Sequence, residues 1–407
     1  MGKSLSKSRF IELFGDPFLI DEKEKVPFKN AIAETVKGPF GSDMKKSLFV
    51  PKSDTTYKVF SQVNAIQKDA TAGDYYISAE YYEKMKRFTV NSGDYIVTCD
   101  GTLGKIYCLP ENIEKGVISS SLLRIALNKD VISNVYFETI WNMYMLPMLV
   151  RRSRNACLVH LPSAKDIGNL PVPIPNIDKQ RDYDKFSNQI DKLKFILQKM
   201  IEKLELLKKS RFIELFGTVN DNVHKYEVCS LGELVDINIG LTHTPKYTET
   251  GIPFLSVKDI SSGKIDLSNV KFISKEEFNS LPKGAKPQPG DLLFCRVGTL
   301  GKPVIVSNEI GDFGTFVSLG YLRFSSDSKV IQNTIKCWMN SDLFDIQVRA
   351  SISGASQPNL NTGWLKKFKL VVPPIEIQNE FANFVNQIDK SKLILQKQLE
   401  DLVGETK

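Results

Sequence analysis

The stretch KSRFIELFG, Lys7 to Gly15, recurs without change at Lys209 to Gly217. Two further matches run in the same order. Gly93 to Lys105, GDYIVTCDGTLGK, matches Gly290 to Lys302, GDLLFCRVGTLGK, at 7 of 13 positions. Phe186 to Lys199, FSNQIDKLKFILQK, matches Phe384 to Lys397, FVNQIDKSKLILQK, at 11 of 14. The offsets of 202, 197 and 198 residues are collinear, so the chain reads as two copies of one unit. A period near 200 is far above the roughly 20 to 50 residues of solenoid and propeller units, so each copy is a domain plus a connecting element.

Each copy runs from KSRFIELFG through a divergent stretch to the NQID segment. The conserved pieces are then residues 1–16, 175–217 and 375–407, and the divergent domains are 17–174 and 218–374. From Asp182 the apolar positions Phe186, Ile190, Leu193, Leu197, Met200, Leu204 and Leu207 alternate spacings of 4 and 3, a heptad seam that calls for a helical partner. The C-terminal segment repeats the pattern through Phe381, Val385, Ile388, Leu395, Leu399 and Leu402, with Lys392 interrupting it and Phe384 beside it. Two long helices with matching seams pack most simply antiparallel. A central helix over residues 178–216 would be roughly 57 Å long at 1.5 Å per residue, the length of a spacer. Core helices of ordinary domains are the competing reading, and duplication at matching domain boundaries counts against it. Proline-rich stretches, PVPIP at Pro171–Pro175 and VVPP at Val371–Pro374, precede both helices and mark a fixed exit from a domain.

The divergent halves read as mixed α/β, with short strands at Tyr95–Cys99, Leu122–Leu127, Leu292–Cys295 and Val304–Val306. In each, a Gly-Asp pair starts a strand that ends in GTLGK, whose glycines supply positive φ for a tight hairpin. The expected fold class is therefore mixed α/β (α+β) domains in two copies, separated by long antiparallel coiled-coil helices.

The chain's 407 residues suffice for two or three domains, and 42% hydrophobic residues suffice for ordinary cores. A net charge of +7 is compatible with nucleic acid as a partner without requiring it. The six cysteines, Cys99, Cys108, Cys157, Cys229, Cys295 and Cys337, form no CxxC pair and read as reduced, mostly buried thiols. No basic and apolar leader opens the sequence. The most apolar stretch, Trp141–Val150, is about half of the roughly 20 residues a membrane span needs. The expected location is the cytoplasm.

GTLGK resembles part of a phosphate loop. A Walker motif, however, needs Gly where Cys99 and Arg296 stand and Ser or Thr where Ile106 and Pro303 stand. There is no GxGxxG, no GxSxG and no Asn-Pro-Pro-aromatic signature, and His160, His224 and His243 do not correspond between copies. A duplicated active site should keep its general base twice, and none does. No catalytic, cofactor or metal residue is therefore expected, and an intrinsic nuclease lacks the duplicated acidic pair with lysine that it would need.

The residues suit a module that holds something extended. KGPFGS at Lys37–Ser42, followed by Lys45 and Lys46, and GLTHTPK at Gly240–Lys246 combine turns with hydroxyl and basic side chains. Such loops offer N–H, hydroxyl and ammonium groups to phosphates. Lys37, Ser42, Lys45 and Lys46 are the candidates in the first loop, and Thr242, His243, Thr244 and Lys246 in the second. Thr102, Lys105 and Lys302 join them from the GTLGK turns. Base reading needs amide, carboxylate or basic groups aimed at groove edges. Gln62, Asn64 and Asp100 are the candidates in the first half; His243, Lys258, Asp259 and Arg296 are those in the second. For each residue singly, a solvated surface role competes with the binding role.

Two divergent halves, each with a GD-strand-GxxGK turn and a proline exit into an NQID/LQK helix, resemble the specificity subunit of a type I restriction-modification enzyme. GIPFLSVKDI at Gly251–Ile260 and QPNL at Gln357–Leu360 strengthen the resemblance, which covers essentially the whole chain. The first half departs from it, offering Tyr57–Val63 and His160–Pro162 in those places. The resemblance implies that each half is a target-recognition domain reading one half of a bipartite site in double-stranded DNA. It further implies that the conserved helices dock two methyltransferase (modification) subunits and that restriction/translocase subunits join them. S-adenosylmethionine, ATP and Mg are expected on those partners, with no cofactor in this chain. The specificity subunit of a two-subunit type II enzyme shares the layout, and a coiled-coil protein adaptor is the alternative from another class.

Overall fold

The computed structural model describes residues 5–153, 160–352 and 359–404. Cys157 and the Gln357-Pro358 pair of QPNL lie outside them. The chain divides into two compact units, residues 1–196 with 398–407, and residues 197–397.

In the first unit an antiparallel sheet has the strand order Ile32–Lys37, Leu122–Leu127, Tyr95–Thr98, Ile106–Cys108. A second sheet orders Tyr76–Ser78, Thr56–Phe60 and Gly116–Ile118, the last pair parallel. Tyr95–Thr98 is buried along its whole length, which suits its run of β-branched and aromatic side chains. Asp94 of the Gly-Asp pair closes the preceding turn by accepting from the Asn91 N–H at 2.8 Å, and Arg124 on the adjacent strand donates to it at 3.2 Å. The strand ends in the GTLGK hairpin, where Gly101 and Gly104 have φ of +66° and +68° as the turn requires. Trp141 Nε1 donates to the Gly104 carbonyl at 2.9 Å and fixes the hairpin to the helical side of the core.

In the second unit the antiparallel sheet runs Asp236–Ile239, Leu319–Arg323, Leu292–Cys295, Gly301–Ile305. The second sheet runs Tyr247–Thr248, Lys271–Ile273, Ile252–Leu255, Gly314–Thr315, again with a parallel last pair. Asp291 accepts from the Gln288 N–H at 2.7 Å and from Arg323 at 2.7 Å, the arrangement of Asp94 repeated. The Gly-Asp signature is thus a turn clamp that fixes where the buried strand begins.

Ile177–Phe216 is one helix of 40 residues without Gly or Pro, and Ile375–Val403 is a second of 29. Both begin at a buried glutamine. Gln180 donates to the Val131 and Pro175 carbonyls and accepts from the Ser133 N–H at 2.9 Å. Gln378 donates to the Lys329 and Pro373 carbonyls and accepts from the Ile331 N–H at 3.0 Å. The proline exits are therefore tied down by a side-chain clamp in addition to their backbone stiffness. Within the second unit the two helices meet through Lys208–Asp389 at 2.7 Å, Arg211–Glu380 at 2.8 Å and a Lys392–Glu205 pair.

The seam on the central helix differs in phase from the heptad reading. Leu193 and Met200 are 43% and 45% exposed, while Tyr183, Ser187, Ile190 and Leu197 are buried and Phe186 and Leu204 are half-buried. The buried row steps 183, 187, 190, 197 because an aromatic and a serine begin it, positions an apolar count passes over. On the C-terminal helix Phe381, Val385 and Ile388 are buried, with Phe384, Leu395 and Leu399 half-buried. Lys392 is half-buried too, so it belongs to the seam, with Glu205 neutralising it. No helix among the described residues is long and apolar enough to cross a membrane.

Candidate nucleic-acid interface

In the first unit, backbone hydrogen bonds gather several loops where Tyr95–Thr98 ends. The Cys99 N–H donates to the Ser121 carbonyl at 2.9 Å, and the Leu161 N–H donates to the Cys99 carbonyl at 2.8 Å. The Gly38 N–H reaches the Leu122 carbonyl at 2.9 Å, and the Ser119 N–H the Phe60 carbonyl at 2.8 Å. Gly38 is required here, because a Cβ would lie 2.0 Å from the Ser119 oxygen.

Side chains converge on the same place. His160 Nδ1 lies 2.5 Å from Asp100 Oδ1, and the two residues form an isolated antiparallel bridge. A Cβ on Gly101 would lie 4.0 Å from Gln62 Oε1, so Gln62 borders this turn. Burial pushes the Cys99 thiol up, and the Lys37 ammonium beside it opposes that shift. Lys37, Gln62, Asp100 and His160 thus share one neighbourhood. Ser42, Lys45, Lys46, Thr102 and Lys105 are exposed. His160 was absent from the sequence-derived candidates. Its signal was the alignment of His160–Pro162 with QPNL, which turns out to be a shared backbone bridge.

The second unit repeats the scaffold with different side chains. The Gly240 N–H donates to the Leu319 carbonyl at 3.2 Å, the Arg296 N–H to Ser318 at 2.9 Å, and the Leu360 N–H to Arg296 at 2.8 Å. Asn359, exposed, bridges Val297 as His160 bridges Asp100. A Cβ on Gly240 would lie 2.3 Å from the Phe316 oxygen, the same close approach as at Gly38. Thr242, His243, Thr244 and Lys246 are exposed in the loop that follows. Lys258 is exposed and donates to the Asn269 carbonyl at 3.3 Å.

Three base-reading candidates are corrected. Asn64 is fully buried; its Oδ1 accepts from the Ser61 N–H, and its amide donates to the Asp69 and Ala72 carbonyls. Asp259 is buried and caps its turn by accepting from the Ser256 N–H and hydroxyl. Ser61 with Asn64 and Ser256 with Asp259 are capping boxes on corresponding turns, so their polarity is consumed locally. Arg296 is buried, donates to the Leu360 and Val317 carbonyls, and has its pKa lowered by burial. Lys302 faces a separate groove lined by Lys209 and Lys336.

Residues 224–404 match the family model described as Type I restriction modification DNA specificity domain. The chain is 23% identical over 343 residues to the Type I restriction enzyme MjaVIII specificity subunit of Methanocaldococcus jannaschii, covering 78% of this chain and 77% of that one. It is 22% identical over 343 residues to the Type I restriction enzyme EcoBI specificity subunit of Escherichia coli, covering 76% and 70%. A solved structure reported as "Structural basis underlying complex assembly and conformational transition of the type I R-M system" shares the fold with a TM-score of 0.62, at 16% identity and 93% coverage of each chain.

Strand-end loops rich in hydroxyl, amide and basic groups, together with these relatives, define a DNA-recognition protein. Within that class, residues 224–404 match the type I restriction-modification DNA specificity domain, and the chain is similar over most of its length to type I specificity subunits.

Proposed function

We propose that this chain reads a bipartite site in double-stranded DNA for a type I restriction-modification enzyme and performs no chemistry of its own. The observation that carries this reading is the same order of the four-stranded sheet in both units, ending in loops whose bridging side chains differ: half-buried Asp100 and exposed His160 in one, half-buried Val297 and exposed Asn359 in the other. A common scaffold with different tips suits two different half-sites.

The target-recognition domains are residues 17–174 and 218–374, each reading one half-site. The segments 1–16, 175–217 and 375–407 form an antiparallel helical strut that spaces them and docks two methyltransferase subunits, to which restriction/translocase subunits add. S-adenosylmethionine, ATP and Mg belong to those partners, and the assembly works in the cytoplasm.

Methylome sequencing of a host carrying the chain with an adenine methyltransferase partner tests the reading. Two short motifs separated by a fixed unspecified gap are expected. Methylation of one continuous motif, or none that depends on this chain, refutes it.

A further inference from the structure

Within the second unit, the C-terminal part of the central helix, the C-terminal helix and the helix Gln332–Met339 border a groove of about 700 Å³. Six lysines line it: Lys208, Lys209, Lys264, Lys302, Lys336 and Lys392. The carboxylates lining it are Glu205 and Asp389, and Lys208 and Lys392 engage both. Among the described residues no carboxylate pairs with Lys209, Lys264, Lys302 or Lys336, so four positive charges face one concavity uncompensated. Ser262, Asn333, Asn340 and Ser341 supply the remaining polar lining.

One of these charges, Lys336, belongs to the second unit alone. The first unit carries Thr139 where the second carries Lys336, two residues before tryptophans that both pack in their cores. Thr139 spends its hydroxyl on the Val135 carbonyl and the Tyr183 hydroxyl. Four uncompensated ammonium groups repel one another, and a bound polyanion would turn that repulsion into attraction.

Chain continuity indicates which polyanion. Lys302 lies on the hairpin that begins at Arg296, whose backbone holds Leu360 beside the strand-end loops. Lys264 follows the capped turn Val257–Asp259 of the same loop cluster. Two of the segments that build the candidate interface therefore deliver a lysine to the groove.

We infer that this groove seats DNA phosphates, a contact separate from the strand-end loops. The inference rests on the reading of the chain as a DNA-specificity subunit. Lysine suits the task, because an ammonium group on a flexible stem meets a phosphate as a point charge without needing fixed geometry.

The test is the salt dependence of binding by the full chain to a duplex selected from a random pool. Lys209, Lys264, Lys302 and Lys336 are changed together to Ala, and in a second variant to Arg. Each phosphate contact contributes about 0.9 to the slope of log K against log salt. The Ala variant is expected to lose about 3.6 from that slope while keeping its preference for the selected over a scrambled duplex, and the Arg variant to keep the wild-type slope. Circular dichroism and thermal melting establish that both variants are folded. A folded Ala variant with an unchanged slope overturns the inference. So does an unchanged slope with lost methyltransferase binding, which would assign the groove to an acidic protein surface. Failure of the wild-type chain to prefer any duplex would instead strike the functional reading on which the groove depends.

Discussion

The ring of Phe381 meets Phe212 edge-on, with centroids 5.4 Å apart and planes at 66°. In the first unit Tyr183 meets Phe10 at the same 5.4 Å and at 82°. Phe10 and Phe212 are the same residue of KSRFIELFG, and Phe381 lies 198 residues after Tyr183, the offset of the NQID match. In each unit, then, the repeat packs on the start of a helix far along the chain. The second aromatic of the repeat joins in both, Phe14 with Tyr183 at 5.8 Å and Phe216 with Phe381 at 5.3 Å.

Phe381 is fully buried in this cluster, so Phe381→Ala should leave a cavity and destabilise the second unit by about 3–5 kcal/mol. Urea unfolding followed by limited proteolysis would show the second unit cleaved first. Equal protease resistance of the second unit in variant and wild type would mean that the aromatic cluster does not hold the helix to its unit.

The buried Gln378 makes a sharper demand on chemistry. Gln378→Glu keeps the shape and the acceptor for the Ile331 N–H but loses both donors, leaving the Lys329 and Pro373 carbonyls facing a carboxyl group. Each buried group left without a partner costs about 1–3 kcal/mol. Gln378→Glu should therefore be destabilising to a degree that an exposed exchange such as Gln387→Glu is not, as read from the denaturant midpoint.

These two residues also show what the sequence could disclose. The repeat, the Gly-Asp turns, the GTLGK hairpins and the two long helices were legible because identity at constant offset and heptad spacing survive in one dimension. Gln180 and Gln378 share the 198-residue offset and were still missed, because polar residues near a helix start read as solvated face. The site was harder. Asn64, Asp259 and Arg296 are polar residues beside loops, which is the composition of a base-reading tip, yet their partners are carbonyls and N–H groups that only the folded backbone brings near. The seam phase failed for the same reason: Ser187 is buried and Met200 exposed, against their hydropathy.

A pH dependence arises from the capping box at Ser230. The Ser230 N–H donates to Glu233 at 2.8 Å and holds its carboxyl below the usual carboxylate range. A depressed folded value means the contribution is fully present above the unfolded value near 4.5 and is lost as pH falls through the folded one. The stability difference between wild type and Glu233→Gln should be largest near neutrality and shrink on acidification. A difference that stays constant with pH would show that the charge on Glu233 contributes nothing.

Cys337 reports on the lysine groove that it lines. Burial pushes its thiol up to about 11, although Lys208 and Lys336 pull the other way. At mildly alkaline pH it should hold about a hundredfold less thiolate than an ordinary thiol and alkylate correspondingly slowly. Mass-spectrometric labelling against pH should show its rate still climbing above pH 10. A plateau near pH 9 would mean that the site is wetter than its packing indicates.

If the helices act as a ruler, their length should be readable in the DNA. Met200 is 45% exposed, so the point of insertion lies on the outer face of the helix. The register set by Lys208–Asp389 and Glu205–Lys392 puts Lys397 opposite, where an equal insertion keeps the pair matched. Four residues lengthen a helix by about 6 Å, roughly two base pairs, while turning the downstream part of the helix about 40° out of phase. Seven residues keep the heptad phase and add about 10 Å, roughly three base pairs. Methylation mapping of the two variants should recover the same half-sites with gaps widened in that order, the seven-residue form being the more active because its seam is intact. An unchanged gap in both would mean that half-site spacing is set by something other than the strut.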